Sequence, residues 1–150
     1  MLKPVPSELL DFISEFGTFY VLGHAEPDGD CLGSQKALAS LLARSGKKTV
    51  LCSPGPFIRP ETKEVESLFS KSIPTPEDLD SAAAGASDKT KNKSAVIIVD
   101  CSTPERIGKD FAEQIKHYPV AVIDHHASGE VFGDVRFVDG DSPSTTILVY

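Results

Sequence analysis

This sequence predicts an α/β fold, a mainly parallel sheet flanked by helices on both faces. Three observations carry that expectation. Almost uninterrupted apolar runs recur at Phe19–Leu22, Ala95–Val99 and Pro119–Ile123; strands covered on both faces need such runs, whereas half-exposed strands alternate. Segments of helical period separate them, the order that builds a sheet from parallel crossovers. Each run then leads into acid or histidine, and in parallel sheets ligands sit beyond the carboxyl ends of the strands.

The elements follow in order. Ser7 to Phe16 sets Leu9, Leu10, Ile13 and Phe16 at helical spacing, with Ser7 as N-cap and Gly17 as stop. Thr18 to Leu22 is a strand. Leu32 to Ser45 is a second helix, burying Leu38, Leu41 and Leu42 and ending at Gly46. Lys48 to Cys52 is a strand closed by the turn-forming Ser53-Pro-Gly-Pro56. Thr62 to Ser70 is expected to be helical. Residues 79–93 are polar, small and charged, an exposed connection holding at most a short helix. Strand 95–99 leads to a helix around Lys109 to Lys116, then to strand 119–123 and an edge strand at Asp134 to Val138. A last helix starts at Ser144, and no internal repeat is present.

Composition narrows the class. A chain of 150 residues can bury one core, so one domain is expected. With 40% hydrophobic and 25% charged residues it falls among globular chains. No run approaches the roughly 18 apolar residues of a membrane span, and the N-terminus lacks the basic-then-apolar layout of a secretion signal. Cys31, Cys52 and Cys101 are odd in number and scattered. That pattern speaks against a disulfide framework or a zinc-thiolate site and for a reducing cytoplasm. Fifteen basic against 22 acidic residues leave a net charge of −7, unlike a protein that grips long nucleic acid by its backbone. Small phosphorylated ligands stay compatible, because bound cations reverse the local sign. The last helix is still running at Tyr150, which leads us to expect the front part of a longer protein.

Three clusters carry the chemistry. The first is Gly23-His24-Ala-Glu-Pro-Asp28-Gly-Asp30, where Pro27 sets the loop's path and Gly29 allows a tight turn. Asp28 and Asp30, two apart, can face different directions and serve two ions; the alternative is an Asp-rich turn with a helix N-cap. Gly33-Ser34 then opens a helix whose N-terminal amides favour anions. The second is Asp100, either a ligand central to the site or a cap for the helix start at Ser102-Thr-Pro-Glu105. The third is Asp124-His125-His126, whose adjacent imidazoles point different ways, one toward metal and one toward substrate. Asp124 is suited to orient an imidazole. Mixed histidine and carboxylate donors suit Mn²⁺, Fe²⁺, Co²⁺ or Zn²⁺ better than Ca²⁺. Two such ions, roughly 3.5–4 Å apart, would activate water and neutralise a phosphoryl group. Ser142-Pro-Ser144-Thr145-Thr146 offers hydroxyls and amides to a phosphate, or simply an N-cap with Pro143 in the first turn. His117 is expected to be exposed and Cys31 a small buried residue; Arg106 and Arg136 are expected to be solvated, the alternative being pairing with phosphates.

At these residues the chain resembles the DHH phosphoesterase superfamily, named for its Asp-His-His motif. The stretch from Gly23 to Ser34 resembles its first motif, Val99-Asp100 its second and Asp124-His125-His126 its third, in order and over essentially the whole chain. The resemblance implies an α/β catalytic domain over 1–150 that hydrolyses phosphoesters with two ions, usually Mn²⁺. It implies that His24, Asp28 and Asp100 hold one ion, and that Asp30, Asp100 and His125 hold the other, with Asp100 bridging. His126 and Asp100 would be catalytic, His126 at the phosphate, with Asp124 supporting the histidines. Ser34, Ser144 and Thr145 would meet substrate. The family's fourth-motif aspartate and second, substrate-gripping domain have no counterpart here, so the likeness is to a catalytic-domain fragment. Pro-Asp-Gly-Asp, Gly-Ser and Ser-Pro-Ser-Thr-Thr look most like the oligoribonuclease and adenosine-bisphosphate phosphatase branch. The expected partner is a short oligoribonucleotide or a nucleotide such as adenosine 3',5'-bisphosphate, with no long nucleic acid and no membrane. Inorganic pyrophosphatase, cyclic-dinucleotide phosphodiesterase, a non-catalytic nucleotide- or metal-binding module, and a homodimer stay open as alternatives.

Overall fold

The computed structural model describes residues 3–75 and 93–150. Five strands form its centre: β1 at Thr18–Leu22, β2 at Lys48–Cys52, β3 at Ser94–Val99, β4 at Val120–Asp124 and β5 at Val135–Val138. They make one sheet in the order β2-β1-β3-β4-β5, every neighbouring pair parallel. Helices α1 (Ser7–Glu15), α2 (Gly29–Arg44), α3 (Pro60–Lys63), α4 (Lys109–Gln114) and α5 (Thr145–Val149) accompany it. The expected α/β class is present. The connection expected at 79–93 lies outside the described residues except for Lys93.

The apolar runs are continuous because each face of the sheet has its own core. Phe19, Val21, Ile97, Val99 and Ile123 meet Leu9 and Phe12 of α1, Leu38 and Leu42 of α2, and Leu148 of α5. On the other face Tyr20, Leu22, Val96, Ile98 and Val122 meet Ile107 and Phe111, the latter in α4. From β1 the chain goes to β2 on one flank, and it returns to place β3 on the other. Such a reversal opens a crevice at the carboxyl ends of the two central strands. His24 follows β1 and Asp100 follows β3, so both stand at that crevice.

Local details differ from the sequence expectation for physical reasons. Ser7 is the first residue of α1 rather than its cap, and its hydroxyl bonds Glu8. The inward stripe of α1 uses Phe12, which packs on Phe16 and Phe19, while Leu10 is left 57% exposed. Leu41 likewise turns outward, 40% exposed, beside its buried neighbour Leu42. Helix α2 starts at Gly29, ahead of Leu32, because the Asp28 carboxylate accepts the Cys31 amide at 3.0 Å and caps it. The helix expected over 62–70 breaks into α3 and a single 3₁₀ turn at Glu66–Leu68. Beyond that turn Ser70 pairs with β2, its amide on the Leu51 carbonyl at 2.8 Å. This pairing lays Phe69 against Phe57.

One buried polar residue ties α2 to the sheet. Gln35 is fully buried, and its amide group donates to the carbonyls of Val21 and Cys52, each at 2.7 Å. The ends of β1 and β2 are thereby pinned to the helix that carries Asp30. Gln35→Met keeps the side-chain length and removes both bonds. We expect it to lower stability by about 1–3 kcal/mol in urea unfolding, and a loss under about 0.5 kcal/mol would show the bridge to be dispensable.

Candidate metal centre

Asp100 sets the geometry. Its amide extends the β3–β4 ladder by donating to the Ile123 carbonyl at 3.0 Å. The backbone then turns left-handed at φ 57°, a conformation that aspartate tolerates better than most residues. Asp100 is 2% exposed, and its two oxygens face two histidines. Oδ2 lies 3.5 Å from His24 Nε2, and Oδ1 lies 3.5 Å from His125 Nε2. Each histidine has a second aspartate nearby: Asp28 Oδ1 is 3.9 Å from His24 Nε2, and Asp30 Oδ2 is 3.8 Å from His125 Nε2. The two aspartates of the Asp-Gly-Asp turn therefore diverge, one to each side of Asp100. These gaps are too long for good hydrogen bonds. They suit pairs of ligands around a cation whose own bonds are about 2.0–2.2 Å.

The histidines are oriented by what holds their other nitrogen. His24 Nδ1 lies 2.7 Å from the Ala25 carbonyl, His125 Nδ1 3.2 Å from the Ser142 carbonyl, and His126 Nδ1 2.7 Å from Asp124 Oδ1. Since all three partners are acceptors, each neutral ring carries its proton on Nδ1 and its lone pair on Nε2. Burial disfavours the charged form of His24, but Asp100 and the Ala25 carbonyl outweigh it and raise its pKa above the ordinary value. Asp124 is fully buried, its Oδ1 also accepting the His126 amide at 3.2 Å.

Asp30 is clamped by the start of α5. The Thr145 amide donates to Oδ2 at 2.9 Å, the Thr146 amide to Oδ1 at 3.0 Å, and the Thr146 hydroxyl to Oδ1 at 2.6 Å. Burial pushes the Asp30 carboxyl up, but these three bonds outweigh it and hold its pKa below the usual value. The Thr145 hydroxyl donates to Asp100 Oδ1 at 2.8 Å, so one short helix braces two carboxylates.

The description "DHH family, N-terminal domain" matches residues 18–150. The chain belongs to the DHH family. Among curated relatives, the bifunctional oligoribonuclease and PAP phosphatase NrnA of Mycoplasma pneumoniae is 32% identical over 137 residues, covering 89% of this chain and 38% of the relative. The protein of the same name from Bacillus subtilis is 26% identical over 153 residues, covering 96% of this chain and 40% of the relative. The chain thus spans about two fifths of the length of these relatives. A crystal structure of an exopolyphosphatase-related protein from Bacteroides fragilis shares the fold, with a TM-score of 0.70 at 19% identity. The match covers 95% of this chain and 41% of that one.

Within the DHH chain, His24, Asp28, Asp30, Asp100, His125 and His126 are brought together at one rim. The hydroxyls expected to meet substrate are engaged inside the protein. Ser34 is fully buried with its hydroxyl 3.1 Å from that of Thr146, Thr145 is fully buried on Asp100, and Ser144 caps α5 through the Ile147 amide. Pro143 precedes that cap and lies outside the first turn. Arg136, expected to be solvated, is half-buried, and its Nε and Asp124 Oδ2 are buried atoms without a partner among the described residues. Arg106 and His117 are exposed, as expected. Thr146, expected to offer its hydroxyl to a phosphate, binds Asp30 instead, a pairing that no local pattern reveals because the two lie 116 residues apart.

Thr146→Val removes the hydroxyl contacts to Asp30 and to Ser34 and leaves both amides on Asp30. In metal-free protein at pH 7 we expect a stability loss of about 1–2 kcal/mol by urea unfolding. A carboxylate with a lowered folded pKa contributes stability that is present above its unfolded value, 3.8 here, and is lost as pH falls through the folded one. The gap between wild type and variant should therefore shrink below pH 3.8; a gap constant across the acid range would refute the clamp.

Proposed function

We propose that this chain is the catalytic domain of a metal-dependent phosphoesterase acting on short oligoribonucleotides or on nucleotides such as adenosine 3',5'-bisphosphate. The observation that carries the reading is the carboxylate of Asp100, with an imidazole 3.5 Å from each oxygen and a further aspartate beside each imidazole. The names of the NrnA relatives supply the substrate class. In this reading His24, Asp28 and Asp100 hold one divalent cation, Mn²⁺ by preference, and Asp30, Asp100 and His125 hold a second. Cations bound there supply acidified water and neutralise phosphoryl charge.

The remaining work falls to side chains. The α5 threonines keep Asp30 and Asp100 aimed while substrate and product exchange. His126, its Nδ1–H engaged by Asp124, faces the phosphate with the Nε2 lone pair, which takes a proton from the attacking water and then gives it to the leaving oxygen. Asp124 holds the tautomer that makes this direction of transfer available. The net charge of −7 favours a small ligand over a long polyanion. We place the enzyme in the cytoplasm with a small phosphorylated nucleotide as its partner. Among the described residues, no helix is long and apolar enough to cross a membrane.

Asp100→Ala should lower turnover of a diribonucleotide and of adenosine 3',5'-bisphosphate by at least about 10²-fold. EDTA should remove activity and Mn²⁺ restore it. Turnover within about tenfold of wild type would falsify the two-ion reading. Binding of Mn²⁺ and nucleotide with no turnover, in the full-length protein, would assign a non-catalytic module instead. Turnover of pyrophosphate far above that of the diribonucleotide would reassign the substrate class.

A further inference from the structure

The His24 side of the cluster contains a donor that the hydrolytic reading does not use. His24, Cys31 and Asp100 each present one potential ligand atom, and these atoms all lie within 4.8 Å of one another. All three residues are buried. Cys31 stands in the first turn of α2, fixed by the bond from its amide to Asp28. Its Sγ lies 3.9 Å from Gln35 Oε1, and Gln35 is itself anchored on β1 and β2. The thiol occupies space that only a glycine at 23 leaves open, since a Cβ there would come within 2.2 Å of Sγ.

We propose that Cys31 is a soft third ligand on the His24–Asp100 side, making that position a site for thiophilic cations such as Zn²⁺ and Cd²⁺. The inference rests on the reading that His24 and Asp100 hold a metal, and it adds which metals that position retains. Carboxylate and imidazole alone accept hard and borderline ions alike, whereas sulfur selects the softer ones. On binding, the sulfur–metal bond forms, the thiol proton leaves for solvent, and no electron is transferred. A zinc-loaded protein would then hold its ion through a bond that a manganese-loaded protein does not make.

Cadmium reports this bond directly, because sulfur–cadmium ligation gives an ultraviolet charge-transfer band that oxygen and nitrogen ligation does not. Titrating the wild-type chain with Cd²⁺ should raise that band to saturation near one equivalent. Cys31→Ser and Cys31→Ala should lack it, and Cys101→Ser should keep it. Cd²⁺ affinity should fall at least about tenfold in the Cys31 variants, the loss seen even for partners one step removed from a metal. Mn²⁺ affinity by calorimetry should stay within about threefold of wild type, since Mn²⁺ prefers oxygen and nitrogen donors. Absence of the band in wild type, or its survival in both Cys31 variants, overturns the proposal. Mn²⁺ binding without a sulfur–cadmium band overturns this proposal alone; binding of neither ion to wild type overturns the metal-centre reading beneath it.

Discussion

Keeping the carboxylate of Asp100 buried at the carboxyl edge of the sheet is the constraint that organises the rest. A carboxylate removed from water costs several kcal/mol unless its oxygens find compensating partners. Asp100 has the Thr145 hydroxyl on one oxygen and an imidazole facing each. Those imidazoles arrive from the ends of two different strands, β1 and β4, which flank β3 on either side. The strand order and the chemistry are therefore one fact: β3 sits between β1 and β4, so its terminal acid is shared.

The support for this carboxylate reaches well into the fold. Asp28 serves twice, its Oδ1 capping α2 at Cys31 while also facing His24. Asp124 closes β4 and fixes the ring of His126. Gln35 keeps the helix that carries Asp30 in register with the sheet. Polar groups buried in such numbers rigidify a site only when nearly all are satisfied. Among the described residues, one oxygen of Asp124 and the Nε of Arg136 are the buried side-chain atoms without partners.

Much of this was legible in the sequence, and what was not has a common cause. The apolar runs at 19–22, 95–99 and 119–123 announce strands because a strand covered twice tolerates no polar residue. The acids and histidines after them announce the rim because chain polarity puts every strand end of a parallel sheet on one side. What failed was either non-local or a matter of a single turn. Leu10 and Leu41 fit an apolar stripe by type, and only packing against the sheet decides that Phe12 and Leu42 turn inward. The break after α3 comes from the pairing of Ser70 with Cys52, which no window around 62–70 contains. Ser34 and Thr145 look like exposed hydroxyls near a helix start, yet each is buried against a residue over 40 positions distant.

The clamp on Asp30 has a consequence for how the protein comes into being. Its donors belong to Thr145 and Thr146, 115 and 116 positions later, so a chain emerging from synthesis reaches α2 long before α5 exists. Until that late segment arrives, Asp30 has none of its three hydrogen bonds. Bracing of both carboxylates thus waits until Thr145 and Thr146 have been made, and a shorter chain lacks the clamp.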